Sequence, residues 1–160
     1  MAAKAKRVYW DTCLFIAMLG PESDQYVCCS NLFREASGQG KVQIVTSCLT
    51  IAECPNLNQN EEQENAIKDF FKNKCVSVVD VQRWISEKSR EIRRETAHWQ
   101  SKKLDVGDSL HLATALYANV DQLLTYDEDD LLPLSKKFHT RDGRPLPIVK
   151  PRWQGTPPLL

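Results

Sequence analysis

Four acidic residues stand against the apolar segments beside them. Asp11 follows Val8-Tyr9-Trp10, and Glu53 closes Ser47-Cys48-Leu49-Thr50-Ile51-Ala52. Asp108 opens Leu110-His111-Leu112-Ala113-Thr114-Ala115-Leu116, and Asp127 follows Leu123-Leu124-Thr125-Tyr126. A carboxylate beside or within such surroundings is costly unless it is solvated, paired or bound to a cation. Brought to one place, the four would repel one another strongly without a metal, and hard carboxylate oxygens suit Mg²⁺ or Mn²⁺. Their chemistry points to a metal-dependent site.

Read singly, each acid also has a structural explanation. Asp11 suits the cap of a helix starting near Cys13. Glu53 would be a surface-facing helix end near Pro55, although its apolar neighbours predict a partner or a wet cleft. Asp105-Val106-Gly107-Asp108 resembles a capped helix start, where the helix dipole favours an acid. Asp127-Glu128-Asp129-Asp130 reads as a solvated acidic helix start. The joint occurrence of all four is harder to explain by structure alone.

Short apolar runs at 8–10, 42–45, 76–79 and 122–125, with a weaker one at 148–149, predict five strands. Between them lie helical patterns at 13–19, stopped by Gly20-Pro21, and at 23–36, stopped by Gly38-Gln39-Gly40. A helix capped by Thr46 or Ser47 must end near Cys54, because Pro55 disfavours helix before it. Residues 56–60 read as loop, and 61–71 and 81–100 as amphipathic helices. Residues 107–118 form a nearly all-round apolar helix, hence a buried one. Arg141-Asp142-Gly143-Arg144-Pro145 is a turn. Alternating strands and helices predict an α/β fold, a mainly parallel sheet covered on both faces. Ligands of such folds bind outside the carboxyl ends of the strands, where Asp11 and Asp127 fall.

The 160 residues suit one domain, placed at 1–150, with an irregular Pro-rich tail at 151–160. Basic and acidic residues balance at 21 each, so any attraction for polyanions must come from local segregation of charge. Six cysteines show no zinc-ligand spacing and read as reduced, buried thiols of a cytoplasmic protein. The basic start lacks the apolar stretch of a signal peptide, and no segment has the length of a membrane span.

The ordered set of motifs resembles the PIN-domain nucleases, and within them the VapC-type toxin ribonucleases of toxin–antitoxin pairs. It comprises Val8-Tyr9-Trp10-Asp11-Thr12-Cys13-Leu14-Phe15-Ile16 and Thr46-Ser47-Cys48-Leu49-Thr50-Ile51-Ala52-Glu53, then Gly107-Asp108-Ser109-Leu110-His111-Leu112-Ala113-Thr114-Ala115 and Leu123-Leu124-Thr125-Tyr126-Asp127. The resemblance implies a three-layer α/β/α sandwich with a mainly parallel five-stranded sheet and an acidic pocket for Mg²⁺ or Mn²⁺. It matches Asp11, Glu53, Asp108 and Asp127 to the family's acidic quartet, as catalytic residues and metal ligands. It matches Thr12 and Thr125 to supporting hydroxyls, and Asp129 or Asp130 loosely to the same pocket. The implied activity is hydrolysis of RNA phosphodiester bonds, with an antitoxin protein and a second copy of the chain as partners. Asp11 and Asp108 are expected as direct ligands, with Glu53 and Asp127 as ligands or acceptors that orient bound water. His111 is expected to be packed or hydrogen-bonded rather than catalytic.

Substrate grip is less legible. Lys88, Arg90, Arg93, Arg94, Lys102 and Lys103 are interleaved with Glu87, Glu91 and Glu95, the pattern of a solvated helix face. No aromatic stacking platform emerges from residue order, although Trp84, Trp99 and Trp153 are candidates for exposed apolar surface. One alternative is aspartate-based phosphoryl transfer through Asp11. A dehalogenase-like phosphatase needs an Asp where Cys13 stands, and a receiver domain needs acids where Lys6-Arg7 stand. The other alternative is a catalytically silent PIN-like module that binds RNA or protein.

Overall fold

The sheet is built from β1 (Lys6–Trp10), β2 (Val42–Ser47), β3 (Val76–Val79), β4 (Gln122–Leu124) and β5 (Ile148–Val149). The computed structural model describes residues 4–20, 24–54 and 60–155. All pairings are parallel, in the order β3-β2-β1-β4-β5. Parallel strands need cover on both faces, and the side chains alternate accordingly. Tyr9, Val45, Leu123 and Ile148 point into one apolar layer. Val8, Trp10, Ile44 and Leu124 point into the other.

Helices α1 (Thr12–Ala17), α2 (Asp24–Gln39) and α4 (Glu61–Lys72) supply the second layer through Phe15, Leu32, Phe33 and Phe70. The Trp10 ring lies 5.3 Å from Phe15 and 6.1 Å from Phe33, so β1 is clamped by aromatic contacts on this side. Helices α5 (Arg83–Thr96) and α6 (Val106–Tyr117) cover the opposite face. They run antiparallel: Trp84 meets Tyr117, Ser89 bonds Ser109 at 2.7 Å, and Arg93 Nε donates to the Leu104 carbonyl at 3.1 Å. The short α3 (Cys48–Glu53) leaves the end of β2 with Ser47 as its N-cap. This three-layer arrangement with an all-parallel five-stranded sheet is the expected architecture.

Differences from the expected boundaries have local causes. Helix α2 passes through Gly38 and stops only where Gly40 takes φ 62°, a backbone conformation that favours glycine. The predicted helix over 81–100 shortens at both ends. Gln82 caps it in extended conformation, and residues 97–99 turn back through three-residue bonds such as Trp99 N to Thr96 O. The acidic run at 127–130 is a turn rather than a helix start. Pro21, Ser23, Pro55, the loop expected at 56–59 and Pro157-Pro158 lie outside the described residues. The preceding tail residues, 151–155, contain no helix or strand, and Pro151 is buried. Among the cysteines only Cys29 and Cys75 are fully buried; the other four are half-buried, and all are free thiols. No helix among the described residues is long and apolar enough to cross a membrane.

Candidate functional site

The strand order reverses beside β1: the chain lays down β2 and β3 on one side, then returns to place β4 on the other. The carboxyl ends of β1 and β4 therefore flank a topological switch point, where α/β sheets open a crevice. Asp11 leaves β1 there, and Asp127 follows β4. Helix α3 carries Glu53 toward the same end, and α6 brings Asp108 in its first turn, capped by Asp105 Oδ1 on the Gly107 amide at 2.8 Å.

Asp11 is buried and anchored by both oxygens. Oδ1 accepts from the Thr12 amide at 2.8 Å, which makes Asp11 the N-cap of α1, and Oδ2 accepts from Thr125 Oγ1 at 2.7 Å. Thr125 Oγ1 in turn accepts from the Asp127 amide at 3.0 Å, so one hydroxyl ties the ends of β1 and β4 together. Asp127 Oδ1 accepts from the amides of Asp129 and Asp130 at 3.1 and 3.0 Å, which shapes the acidic turn.

Glu53 has the partners expected of it, although its helix is less buried than its apolar sequence suggests. Its neighbour Ile51 is 48% exposed, and the buried residue of α3 is Thr50. The partners come from other elements: Glu53 Oε2 accepts from Thr12 Oγ1 at 2.5 Å and from His111 Nε2 at 2.7 Å. With a carboxylate on Nε2, that nitrogen carries a ring proton, and Nδ1 is hydrogen-bonded to the Tyr9 hydroxyl at 2.7 Å. His111 Nε2 also lies 3.6 Å from Asp11 Oδ1, so this buried imidazole sits between two of the four acids. The His111 bond lowers the Glu53 pKa against the opposing effect of burial. Burial pulls His111 down, but the Glu53 hydrogen bond and the charges of Asp11, Glu53 and Asp108 leave it raised.

Asp108, Asp127 and Asp130 form a second group, each offering a carboxylate oxygen within 4.8 Å of the others. Burial, followed by the charges of Asp127, Asp11, Asp130 and Asp105, pushes the Asp108 carboxyl up to about 7. The sole cation paired with this group among the described residues is Lys102, whose Nζ lies 3.0 Å from Asp130 Oδ2. Asp130 Oδ1 is buried without a hydrogen-bond partner. An all-oxygen donor set, a carboxyl crowded by like charge and an orphaned buried oxygen together fit a hard divalent cation.

The four predicted acids thus resolve into Asp11 with Glu53, joined through Thr12 and His111, and Asp108 with Asp127. Asp130 emerges as the third member of the latter group, while Asp129 stays exposed.

The PIN domain family matches this sequence over residues 8–134. The chain belongs to that family. VapBC2 from Rickettsia felis, solved bound to a DNA fragment from its promoter, superposes at TM-score 0.60 and 15% identity, over 89% of this PIN chain and 96% of that one. VapC20 from Mycobacterium tuberculosis, a sarcin–ricin-loop-cleaving toxin, superposes at 0.59 and 16% identity, over 76% and 91%. These likenesses show the shared fold. No curated protein sequence matches the chain.

One position in the site depends on the smallest side chain. A Cβ on Gly107 would stand 2.8 Å from Glu53 Oε1 and 3.2 Å from Asp105 Oδ1. Gly107→Ala is expected to change folding stability by less than about 1 kcal/mol, because alanine suits a helix. It should nonetheless push the Glu53 carboxylate away from His111. NMR of the His111 imidazole would register the loss of that bond; an unmoved resonance would contradict the close approach.

Proposed function

We propose that this PIN chain is a Mg²⁺- or Mn²⁺-dependent endoribonuclease and the toxin of a toxin–antitoxin pair. The observation that carries this reading is the crowding of carboxylates at the switch point. A folded chain that keeps Asp108 half-buried among Asp11, Asp105, Asp127 and Asp130 stores repulsion that a divalent cation would relieve. Asp108, Asp127 and Asp130 would hold such an ion, with Asp11 and Glu53 completing the acidic set. Bound there, a divalent ion supplies a water of lowered pKa and neutralises charge on the scissile phosphate and the leaving oxygen.

The chain's own groups perform the positioning. Thr125 fixes Asp11 relative to Asp127, and Thr12 and His111 fix Glu53 relative to Asp11. We assign catalysis and metal binding to Asp11, Glu53, Asp108 and Asp127, with Asp130 added from the geometry. His111 is a positioning residue, because its ring nitrogens are engaged by Tyr9 and Glu53. RNA as substrate and an antitoxin partner extend to this chain what is described for VapC20 and VapBC2; a homodimeric state and a cytoplasmic setting are part of the same proposal and rest on the family resemblance. Residues 1–150 are taken as one catalytic domain. The competing silent-module reading leaves the cost of the crowded acids without a return.

Cleavage of purified RNA tests the proposal. Wild-type protein is expected to cut RNA with Mg²⁺ or Mn²⁺ and to stop on addition of EDTA, and Asp11→Asn is expected to lose roughly a thousandfold in rate. Cleavage that survives EDTA, or that persists undiminished in Asp11→Asn, would refute it.

A further inference from the structure

We propose that the pocket where the C-terminal end of α6 meets the first turn of α5 is a binding subsite for single-stranded RNA, taking an unstacked base on its rings and a phosphate on its cations. The choice of RNA as ligand rests on the ribonuclease reading. The pocket has a volume of about 280 Å³. That is at the lower edge of the roughly 300–1,000 Å³ of small-molecule sites, so it suits one base rather than a large cofactor.

Its floor is apolar, formed by Ile85, Ala113 and Leu116, and its walls are aromatic and basic. The Trp84 indole is 47% exposed and lies 5.6 Å, centroid to centroid, from the half-buried Tyr117 ring. The Arg141 guanidinium carbon stands 4.8 Å from the centre of that ring. Lys88 and His139 also line the pocket, and among the described residues no carboxylate does.

In a chain with 21 acidic and 21 basic residues, this is a local segregation of positive charge. Its origin is visible nearby. Asp142, the acid next in sequence to Arg141, is engaged by Arg144 Nε at 2.8 Å and by the Thr140 hydroxyl. Among the described residues no carboxylate pairs with the Arg141 side chain, so its charge is available to a ligand. Lys88 pairs with Glu91 at 3.2 Å, but both side chains are about half exposed, and such a pair yields easily.

Exposed rings flanked by guanidinium and ammonium groups match the stacking platforms that bind single strands, whose bases are free to splay out. Duplex RNA keeps its bases inside the helix, and an apolar protein surface would desolvate Arg141 and Lys88 without pairing them. Tyr117 lies nine positions along α6 from Asp108, about 14 Å of helix. A single strand of a few nucleotides covers that separation, which makes the pocket a subsite remote from the acids.

Fluorescence anisotropy of a fluorescein-labelled single-stranded oligoadenylate, with the full chain in EDTA, tests the assignment. Trp84→Ala is expected to weaken binding at least about fivefold, and Trp84→Phe to restore most of it. Arg141→Ala is expected to weaken binding and to flatten its salt dependence by about one phosphate contact. Dissociation constants for Trp84→Ala and Arg141→Ala within about twofold of wild type, or no binding by wild type, would overturn the proposal. Cleavage of the same oligonucleotide with Mn²⁺ separates the two claims. Cleavage without dependence of binding on Trp84 removes the subsite and leaves the nuclease reading. Binding that depends on Trp84 without cleavage removes the nuclease reading and leaves the subsite.

Discussion

Asp108→Asn is expected to slow RNA cleavage roughly a thousandfold while making the metal-free protein more stable at neutral pH. In the fold, burial and then the charges of Asp127, Asp11, Asp130 and Asp105 push the Asp108 carboxyl up to about 7. In the unfolded chain it titrates near pH 4. Between those values the folded state holds the proton that the unfolded state releases, so stability falls as pH rises through the window and the loss is complete above about pH 7. Asparagine keeps the shape and cannot ionise.

The gain above pH 7 should be about 1–2 kcal/mol, the full linkage reduced for the solvent that still reaches this half-buried group. It corresponds to a rise in Tm of roughly 3–6 °C. Calorimetry from about pH 4 to 8 would show the two melting curves separating as pH rises. A gap independent of pH would contradict the crowding argument. Activity should fall roughly a thousandfold, because the substitution removes a negative oxygen from the group that fits a cation. A variant that is more stable and inactive is the signature of strain kept for function.

His111→Ala is expected to act in the opposite direction, destabilising the fold by about 2–4 kcal/mol. The imidazole is 1% exposed and makes three polar contacts: Tyr9 Oη at 2.7 Å, Glu53 Oε2 at 2.7 Å and Thr12 Oγ1 at 3.2 Å. Its removal leaves a cavity and takes away one partner of the Tyr9 hydroxyl, on a side chain with no exposed surface. The pH dependence has two arms. The raised His111 pKa contributes stability below the ordinary imidazole value that is lost as pH rises through the folded value. The lowered Glu53 pKa contributes stability above the ordinary carboxylate value that is lost as pH falls through the folded value. The pair is therefore most stabilising in mildly acidic to neutral solution; in His111→Ala the first arm should vanish and the second should shrink to what the Thr12 hydroxyl sustains. Urea unfolding checks the magnitude; a loss below about 1 kcal/mol would show that His111 does not hold the site together.

Sequence patterning revealed the elements better than the partners. Buried parallel strands read as apolar runs, and β3 and β5 fall where those runs predict. Helix ends were legible where a cap has a chemical signature, as with Ser47 and Asp105. They were less sharp where two glycines compete, as in α2, which absorbs Gly38 and turns only at Gly40. Glu53 drew attention for its apolar neighbours, yet Ile51 is 48% exposed and the acid is held by Thr12 and His111, 41 and 58 residues away in sequence. Contacts between residues so far apart leave no periodicity to read. Asp130 was obscured by its own company, since a run of four acids looks like solvated surface until the turn brings two of them, Asp127 and Asp130, to Asp108. The Trp84 pocket was hidden for a similar reason: Trp84, Tyr117 and Arg141 come from three separate segments.

Binding of Mn²⁺ by isothermal titration calorimetry tests the central claim most directly, because it reads the acidic centre without reference to any RNA. Wild-type protein is expected to take up Mn²⁺ with a saturable heat, and Asp108→Asn and Asp127→Asn are expected to weaken that binding at least about tenfold. Saturable binding of equal affinity in all three proteins, or no binding by wild type, would contradict a metal centre at the carboxyl ends of β1 and β4.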